Sequence, residues 1–276
     1  MARRIPLAAV IGEPIAHSKS PKIHNHWLAE LGLEGHYIPL HVSQGTLKQA
    51  FDQMKFLGFV GANLTIPHKE DALNLCHSLS DAAQKIGAVN TVRFDENGQI
   101  YGDNSDWIGF RENIRSVVPQ WRGAGHSALV LGAGGAARAI IYALQQVGYD
   151  KIIVTNRNGA RADALCEEFG HPLNSIPWNE RAKSLDTYDF IVNTTSLGMS
   201  GQPELDLPLN DLKSSAIVTD IVYTPLKTNL LIQAEERGVT TVDGLGMLLH
   251  QAIPGFEMWF GVRPTVDEAL RALVLG

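Results

Sequence analysis

Short apolar runs alternate with amphipathic stretches of helical length along the whole of this 276-residue chain, and that alternation confines it to the α/β class. Leu7–Ile11, His36–Val42 and Phe59–Leu64 read as strands, with helices over Pro21–Leu31 and Gly45–Leu57 between them. Ala88–Phe94 and Gln99–Gly102 read as two more strands joined at Asp95-Glu96-Asn97-Gly98, whose Asn-Gly pair is a hairpin signal, so the first sheet is expected to be mixed. A helix over Trp107–Val117 follows. The Pro/Gly-containing connection Pro119–His126 is then a place for one domain to end. Beyond it Ala128–Leu131, Lys151–Thr155, Asp189–Val192, Ile217–Asp220 and Thr240–Val242 are of the type buried on both faces of a parallel sheet. The length suits one large domain or two of about 100–150 residues.

Composition narrows the function classes. Hydrophobic residues make up 45% of the chain and charged residues 19%, with a net charge of −6, so neither disorder nor binding to nucleic acid is expected. Cys76 and Cys166 lie far apart, as free thiols of a reducing cytoplasm would, and the histidines, His17 and His250 among them, lack metal-ligand spacing. The basic start, Arg3-Arg4, imitates the opening of a signal peptide, but Pro6 breaks the apolar run and Gly12-Glu13 ends it. No run approaches the ~18 apolar residues of a membrane helix. A cytoplasmic protein without metal or membrane partner is expected, as monomer or homodimer.

Gly132-Ala133-Gly134-Gly135-Ala136-Ala137 sits between a strand and a helical pattern over Ala136–Val147, matching the G-x-G-x-x-A dinucleotide fingerprint in its proper context. Gly132 permits the tight turn, Gly134 lets backbone amides approach a pyrophosphate, and Ala137 allows close helix packing. An NAD site would carry an acid at the end of the next strand. This chain has Asn156-Arg157-Asn158-Gly159-Ala160-Arg161 instead, and two guanidiniums four residues apart suit a 2′-phosphate. NADP is therefore the expected cofactor. A solvated surface pair is the alternative reading of Arg157 and Arg161.

Other polar clusters call for a substrate. Asn63-Leu64-Thr65-Ile66-Pro67-His68-Lys69 ends the third strand; Pro67 suits the first position of a helix, which puts Lys69 in its first turn, where the dipole works against a cation. That is a poor setting for a structural lysine and a useful one for a proton-transfer group. Ser18 and Ser20 lie beyond the first strand, at the edge where α/β sheets bind ligands, although a serine before Pro21 is also an ordinary helix cap. Asn63 and Thr65 can face one side or serve a local turn. Asn90 lies in an apolar run, where a carboxamide needs a partner such as a ligand hydroxyl. Asp106 opens a helix and taken alone reads as its cap, and Gln251, on a helical face, as an ordinary surface residue.

Taken together these motifs resemble the shikimate dehydrogenase family. The resemblance runs from Gly12 to Gln251: G-x-P-x-x-H-S-x-S-P at Gly12–Pro21, N-x-T-x-P-x-K at Asn63–Lys69, G-A-V-N-T at Gly87–Thr91 and N-x-D-W-x-G at Asn104–Gly109. It continues through G-A-G-G-A at Gly132–Ala136, Asn156-Arg157 with Arg161, the run Asn193–Met199, Asp220–Pro225 and Gly244–Gln251. It implies reversible NADPH-dependent reduction of 3-dehydroshikimate to shikimate, on the route to chorismate and the aromatic amino acids. Ser18, Ser20, Asn63, Thr65, Lys69, Asn90, Asp106, Tyr223 and Gln251 are implied to hold the substrate, with Lys69 and Asp106 catalytic. NADP contacts are implied at Asp81, at Gly132, Ala133, Gly134, Gly135 and Ala136, at Asn156, Arg157, Asn158 and Arg161, and at Ile221 and Gly244. Asn158 stands where the family usually has threonine. The implied architecture is a mixed-sheet α/β substrate-binding domain, residues 1–105 plus 245–276, and a doubly wound Rossmann domain for NADP, residues 106–244.

Overall fold

The computed structural model describes residues 5–276; residues 1–4, with the basic start, lie outside the described residues. The chain divides into two compact units, one of residues up to Ser105 together with Leu249–Gly276, the other Asp106–Leu248.

In the first unit β1 (Leu7–Gly12), α1 (Ser20–Glu30), β2 (His36–His41), α2 (Leu47–Phe56) and β3 (Phe59–Leu64) follow the apolar pattern. A short strand β4 (Ser78–Leu79) and helix α3 (Asp81–Ile86) are additional to the sequence reading. The start of α3 is fixed by Ser80, whose hydroxyl accepts from Ala83 N–H, and its end by Gly87 at φ 69°. The hairpin forms from β5 (Thr91–Phe94) and β6 (Ile100–Asp103), with Gly98 at φ 75° in the turn. The sheet order is β2-β1-β3-β5-β6-β4. β1 lies parallel to β2 and β3, whereas β5 is antiparallel to β3 and β6, so the sheet is mixed as expected. Ile11, Phe51, Leu64, Val92 and Phe94 pack on one face. On the other, Trp259 donates its indole N–H to Val92 O at 3.0 Å. A Cβ at Gly61 would run into both groups, so this strand position must be glycine for the indole to lie on the sheet.

The helix expected from Pro67 is not formed. Residues 66–70 make a turn, and only Asp71–Asn74 wind into a short 3-10 helix. The reason is tertiary. An α-helix would give the Lys69 carbonyl to Leu73 N–H, but that carbonyl accepts from Val89 N–H at 2.7 Å while Leu73 N–H goes to Glu70 O. His68, fully buried, ties the turn to Val42 O through Nε2 at 2.8 Å. The dipole argument for Lys69 falls with the helix, and a role for this half-buried lysine rests on its position instead.

The second unit begins with α4 (Asp106–Val117), which shares a core with the sheet: Phe110 and Ile114 cluster with Val130, Ile140 and Phe190. The Pro119–His126 connection thus lies within this unit. β7 (Ser127–Leu131), α5 (Gly135–Val147), β8 (Lys151–Thr155), α6 (Gly159–Phe169) and β9 (Leu173–Ser175) form the first half. β10 (Phe190–Asn193), β11 (Ile217–Asp220), α7 (Asn229–Glu236) and β12 (Thr240–Val242) form the second. All pairings in this sheet are parallel, in the order β12-β11-β10-β7-β8-β9. Read outward from β7, this is the Rossmann order, and it reverses between β7 and β10. α8 (Leu245–Phe260) carries the chain from the second unit back to the first, where α9 (Glu268–Leu275) ends it.

Candidate active site

The switch point of the second sheet is where an open α/β sheet binds its ligand. Gly132 leaves β7 at φ +111°, and a Cβ on it would meet the Thr194 hydroxyl at 2.5 Å. Thr194 cannot yield, because its N–H and hydroxyl both donate to Leu131 O at 2.8 Å. Gly134 and Gly135 are exposed, with open space where a Cβ would stand, and Gly134 caps α5 without a side chain. First-turn amides of a thirteen-residue helix are therefore bare toward a phosphate. Arg157 and Arg161 are both exposed at the end of β8 and the start of α6, and among the described residues neither guanidinium has an acidic partner. This donor set fits a dinucleotide with a 2′-phosphate. Asn158 precedes α6 without a side-chain cap bond, and its carbonyl accepts from Asn156 Nδ2 at 2.9 Å.

The loops after β10 and β11 are knit by a buried acid. Asp220 is fully buried; Oδ1 accepts from Asn193 Nδ2 at 3.0 Å and Val222 N–H at 2.9 Å, and Oδ2 accepts from the Thr228 hydroxyl at 2.8 Å. Burial pushes its carboxyl above the ordinary range, against these three donors. The bonds fix the loop that carries Ile221 and Tyr223; burial raises the Tyr223 phenol as well. Gly244 backs onto the Ile221 carbonyl so closely that no Cβ fits. Of the expected cofactor residues Asp81 alone belongs to the first unit, exposed at the start of α3.

In the first unit the structure brings Asn63, Asn90 and Gln251 into one hydrogen-bonded group. Asn63 Oδ1 accepts from the Tyr37 hydroxyl at 2.6 Å, and its Nδ2 donates to Asn90 O at 3.2 Å and Thr91 Oγ1 at 3.0 Å. Asn90 Oδ1 accepts from Ser105 N–H at 2.8 Å and Thr91 Oγ1 at 2.9 Å, while its Nδ2 lies 3.5 Å from Gln251 Oε1. The buried Asn90 carboxamide thus has hydrogen-bond partners within the protein. Gln251 is half-buried in α8, not an ordinary surface residue. Ser20 is the first residue of α1 rather than its cap, and Ser18 Oγ accepts from Ser20 N–H at 3.3 Å. Thr65, half-buried, follows β3 and bonds Ile11 O through its N–H at 2.9 Å. Asp106 is the first, largely buried residue of α4 in the second unit.

The comparisons with known proteins agree on one family. The family model for the shikimate dehydrogenase substrate binding domain matches residues 10–92, that for shikimate / quinate 5-dehydrogenase residues 115–202, and that for the shikimate 5′-dehydrogenase C-terminal domain residues 244–274. A shikimate dehydrogenase (NADP(+)) of Cereibacter sphaeroides is 54% identical over 272 residues, covering 99% of this chain and 98% of the relative. This chain belongs to the shikimate dehydrogenase family. A shikimate 5-dehydrogenase of Thermus thermophilus, solved with NADP(H) and shikimate, superposes with a TM-score of 0.86 at 36% identity, covering 98% of each chain. A quinate dehydrogenase of Corynebacterium glutamicum in complex with NAD superposes at 0.91 with 30% identity and 98% coverage of each.

Three residues of the polar group are absent from the site residues expected from the sequence: Tyr37, Ser105 and Thr91, the last of which closes the G-A-V-N-T motif. All are buried, and each bonds an expected site residue. Tyr37 and Thr91 lie in strand patterns, where aromatic and β-branched residues signal only the strand. The usable signal was a Thr directly after the buried Asn90, a second polar group in an apolar run.

Proposed function

We propose that this chain is an NADP-dependent oxidoreductase that interconverts 3-dehydroshikimate and shikimate, a step toward chorismate and the aromatic amino acids. The observation that carries the reading is its full-length match to a shikimate dehydrogenase (NADP(+)) at 54% identity. The bare helix amides after β7 and the exposed Arg157 and Arg161 support it. The cofactor-holding residues are Gly132, Ala133, Gly134, Gly135, Ala136, Asn156, Arg157, Asn158, Arg161, Ile221, Gly244 and Asp81. Those taking the substrate are Ser18, Ser20, Asn63, Thr65, Lys69, Asn90 and Gln251 from the first unit and Asp106 and Tyr223 from the second. Residues 1–105 plus 245–276 form the substrate-binding and catalytic domain, and residues 106–244 the NADP-binding domain. The protein works in the cytoplasm.

NADP, when bound, supplies the two-electron acceptor for the carbon that becomes the 3-carbonyl, and NADPH the donor in the reverse direction. The chain supplies the proton handling. Lys69 Nζ takes the proton from the substrate hydroxyl oxygen and returns it in reduction; the Asp106 carboxylate accepts a hydrogen bond from Lys69 Nζ and so orients the pair about that hydroxyl. Ser18 and Ser20 are among the residues that hold the carboxylate and hydroxyls of the substrate through hydrogen bonds.

The test is the initial rate of NADPH formation with shikimate, run beside NAD and beside quinate. Fast reduction of NADP with shikimate alone supports the reading. Comparable rates with NAD or quinate move the chain to the broader quinate/shikimate activity that the quinate dehydrogenase likeness represents, and no rate in any combination overturns it.

A further inference from the structure

Asn63 and Asn90, two of the proposed substrate residues, are carboxamides, and a carboxamide offers a ligand opposite chemistry according to which way it is turned. Something must fix that turn. Among the described residues, Thr91 is the one whose side chain bonds the side chains of both. It is completely buried at the start of β5, accepting from Asn63 Nδ2 at 3.0 Å and donating to Asn90 Oδ1 at 2.9 Å. A hydroxyl has one proton, so the two bonds are coupled: giving it to Asn90 leaves Oγ1 an acceptor for Asn63.

The neighbouring groups match this sense. Were Asn63 turned over, its oxygen would face the Asn90 carbonyl and its NH2 group would face the Tyr37 hydroxyl that now donates to Oδ1. Asn90 is held likewise, with Oδ1 accepting from Ser105 N–H at 2.8 Å and Nδ2 donating to Ser105 Oγ at 3.1 Å. Ser105 Oγ spends its own proton on Gln251 O at 2.8 Å. A single orientation thus runs Tyr37 to Asn63 to Thr91 to Asn90 to Ser105 to the Gln251 backbone, and Thr91 is the hub where the two carboxamides meet.

We propose that Thr91 is a positioning residue of the substrate site, setting the orientation of Asn63 and Asn90 together without itself touching the substrate. The inference rests on the proposed shikimate reading for its kinetic part. Its structural part stands on the hydrogen bonds alone.

Thr91→Val keeps the shape and removes the hydroxyl, whereas Thr91→Ser keeps the hydroxyl. With shikimate as the varied substrate, Thr91→Val is expected to lower kcat/KM by about 10- to 100-fold, mostly through KM, with KM for NADP unchanged. Thr91→Ser stays within about threefold of the unsubstituted enzyme. In 15N spectra the side-chain amide signals of Asn63 and Asn90 should both move in Thr91→Val and hold their places in Thr91→Ser. A Thr91→Val protein that melts earlier but keeps its KM for shikimate and both amide signals overturns the proposal, as does a folded Thr91→Ser protein as impaired as the valine variant. Should the valine variant not fold, Thr91→Ala and Thr91→Cys carry the same comparison. If the unsubstituted chain turns over no shikimate, the functional reading has failed, and the amide signals still decide the role of Thr91.

Discussion

At the scale of single residues, the chemistry rests on a few groups whose settings differ. Lys69 loses the helix-dipole setting its sequence implies and keeps its place in the turn after β3, where its carbonyl is bonded to Val89. Replacing it with alanine removes the proton-transfer group and leaves substrate binding to the rest of the site. The expected loss in kcat is about 10²–10⁴-fold with little change in KM. Steady-state rates of Lys69→Ala check this, and an unchanged kcat would remove Lys69 from the proton path. Arg157 and Arg161 have no acidic partner to lose among the described residues, so their substitution should spare the fold. Each charge-assisted bond to a 2′-phosphate is worth roughly 1.5–3 kcal/mol, so Arg157→Ala is expected to raise KM for NADP by roughly ten- to a hundredfold and leave KM for NAD in place. Equal changes for both dinucleotides would show that the guanidinium does not read the phosphate.

At the scale of elements, ends matter more than interiors. α9 is amphipathic, burying Leu270 and Val274, and its start is set by Asp267, whose carboxylate accepts from Leu270 N–H at 2.8 Å. Asp267→Ala should cost about 1 kcal/mol and lower Tm by a few degrees without touching the kinetics. A thermal melt unchanged from the parent would mean that packing alone holds this helix. The hairpin and the α5 start were legible because their signals are local: Asn97-Gly98 demands a turn, and Gly132 and Gly134 suit the strand-to-helix bend. The Lys69 segment was misread because Pro67 advertises a helix start, and only the bond between Lys69 O and Val89 N–H, from a distant stretch of chain, decides otherwise. α3 carried a readable cap in Ser80, but its length is below what periodicity detects.

At the scale of the whole molecule, acid stability hinges on His24. It is fully buried in the first unit, stacked on Tyr37 with ring centroids 3.9 Å apart and edged by Trp27, and neither ring nitrogen has a hydrogen-bond partner among the described residues. Burial pushes its pKa down to about 3. The unfolded chain therefore takes up this proton near pH 6.5, well before the folded one does. Stability from a neutral His24 is complete above that pH and falls as the pH drops toward 3, at up to about 1.4 kcal/mol per pH unit. The lowered carboxyls Glu13, Asp52, Asp189 and Glu235 act in the same direction, but only once the pH falls to their ordinary values of 3.8 to 4.5 and below. Asp220, raised by burial, works against them, since the folded state holds its proton more tightly and gains stability as the pH falls through its raised pKa. A loss between pH 6.5 and about 5 is the signature expected of His24. Tm measured across that range should fall for the parent and stay level for His24→Phe; parallel curves would assign the loss elsewhere.

The sequence by itself determined the class, the main alternation of strands and helices, the mixed first sheet, the dinucleotide loop and the two arginines. All of these follow from periodicity or from residues whose conformation or charge has one ready use. Tertiary structure alone decided that Thr91 joins Asn63 to Asn90, that Asp220 ties together the loops after β10 and β11, and that Lys69 lies in a turn. A hydroxyl, carboxamide or carboxylate has many local uses, and which one it takes depends on the partners that the folded sheets bring within about 3 Å.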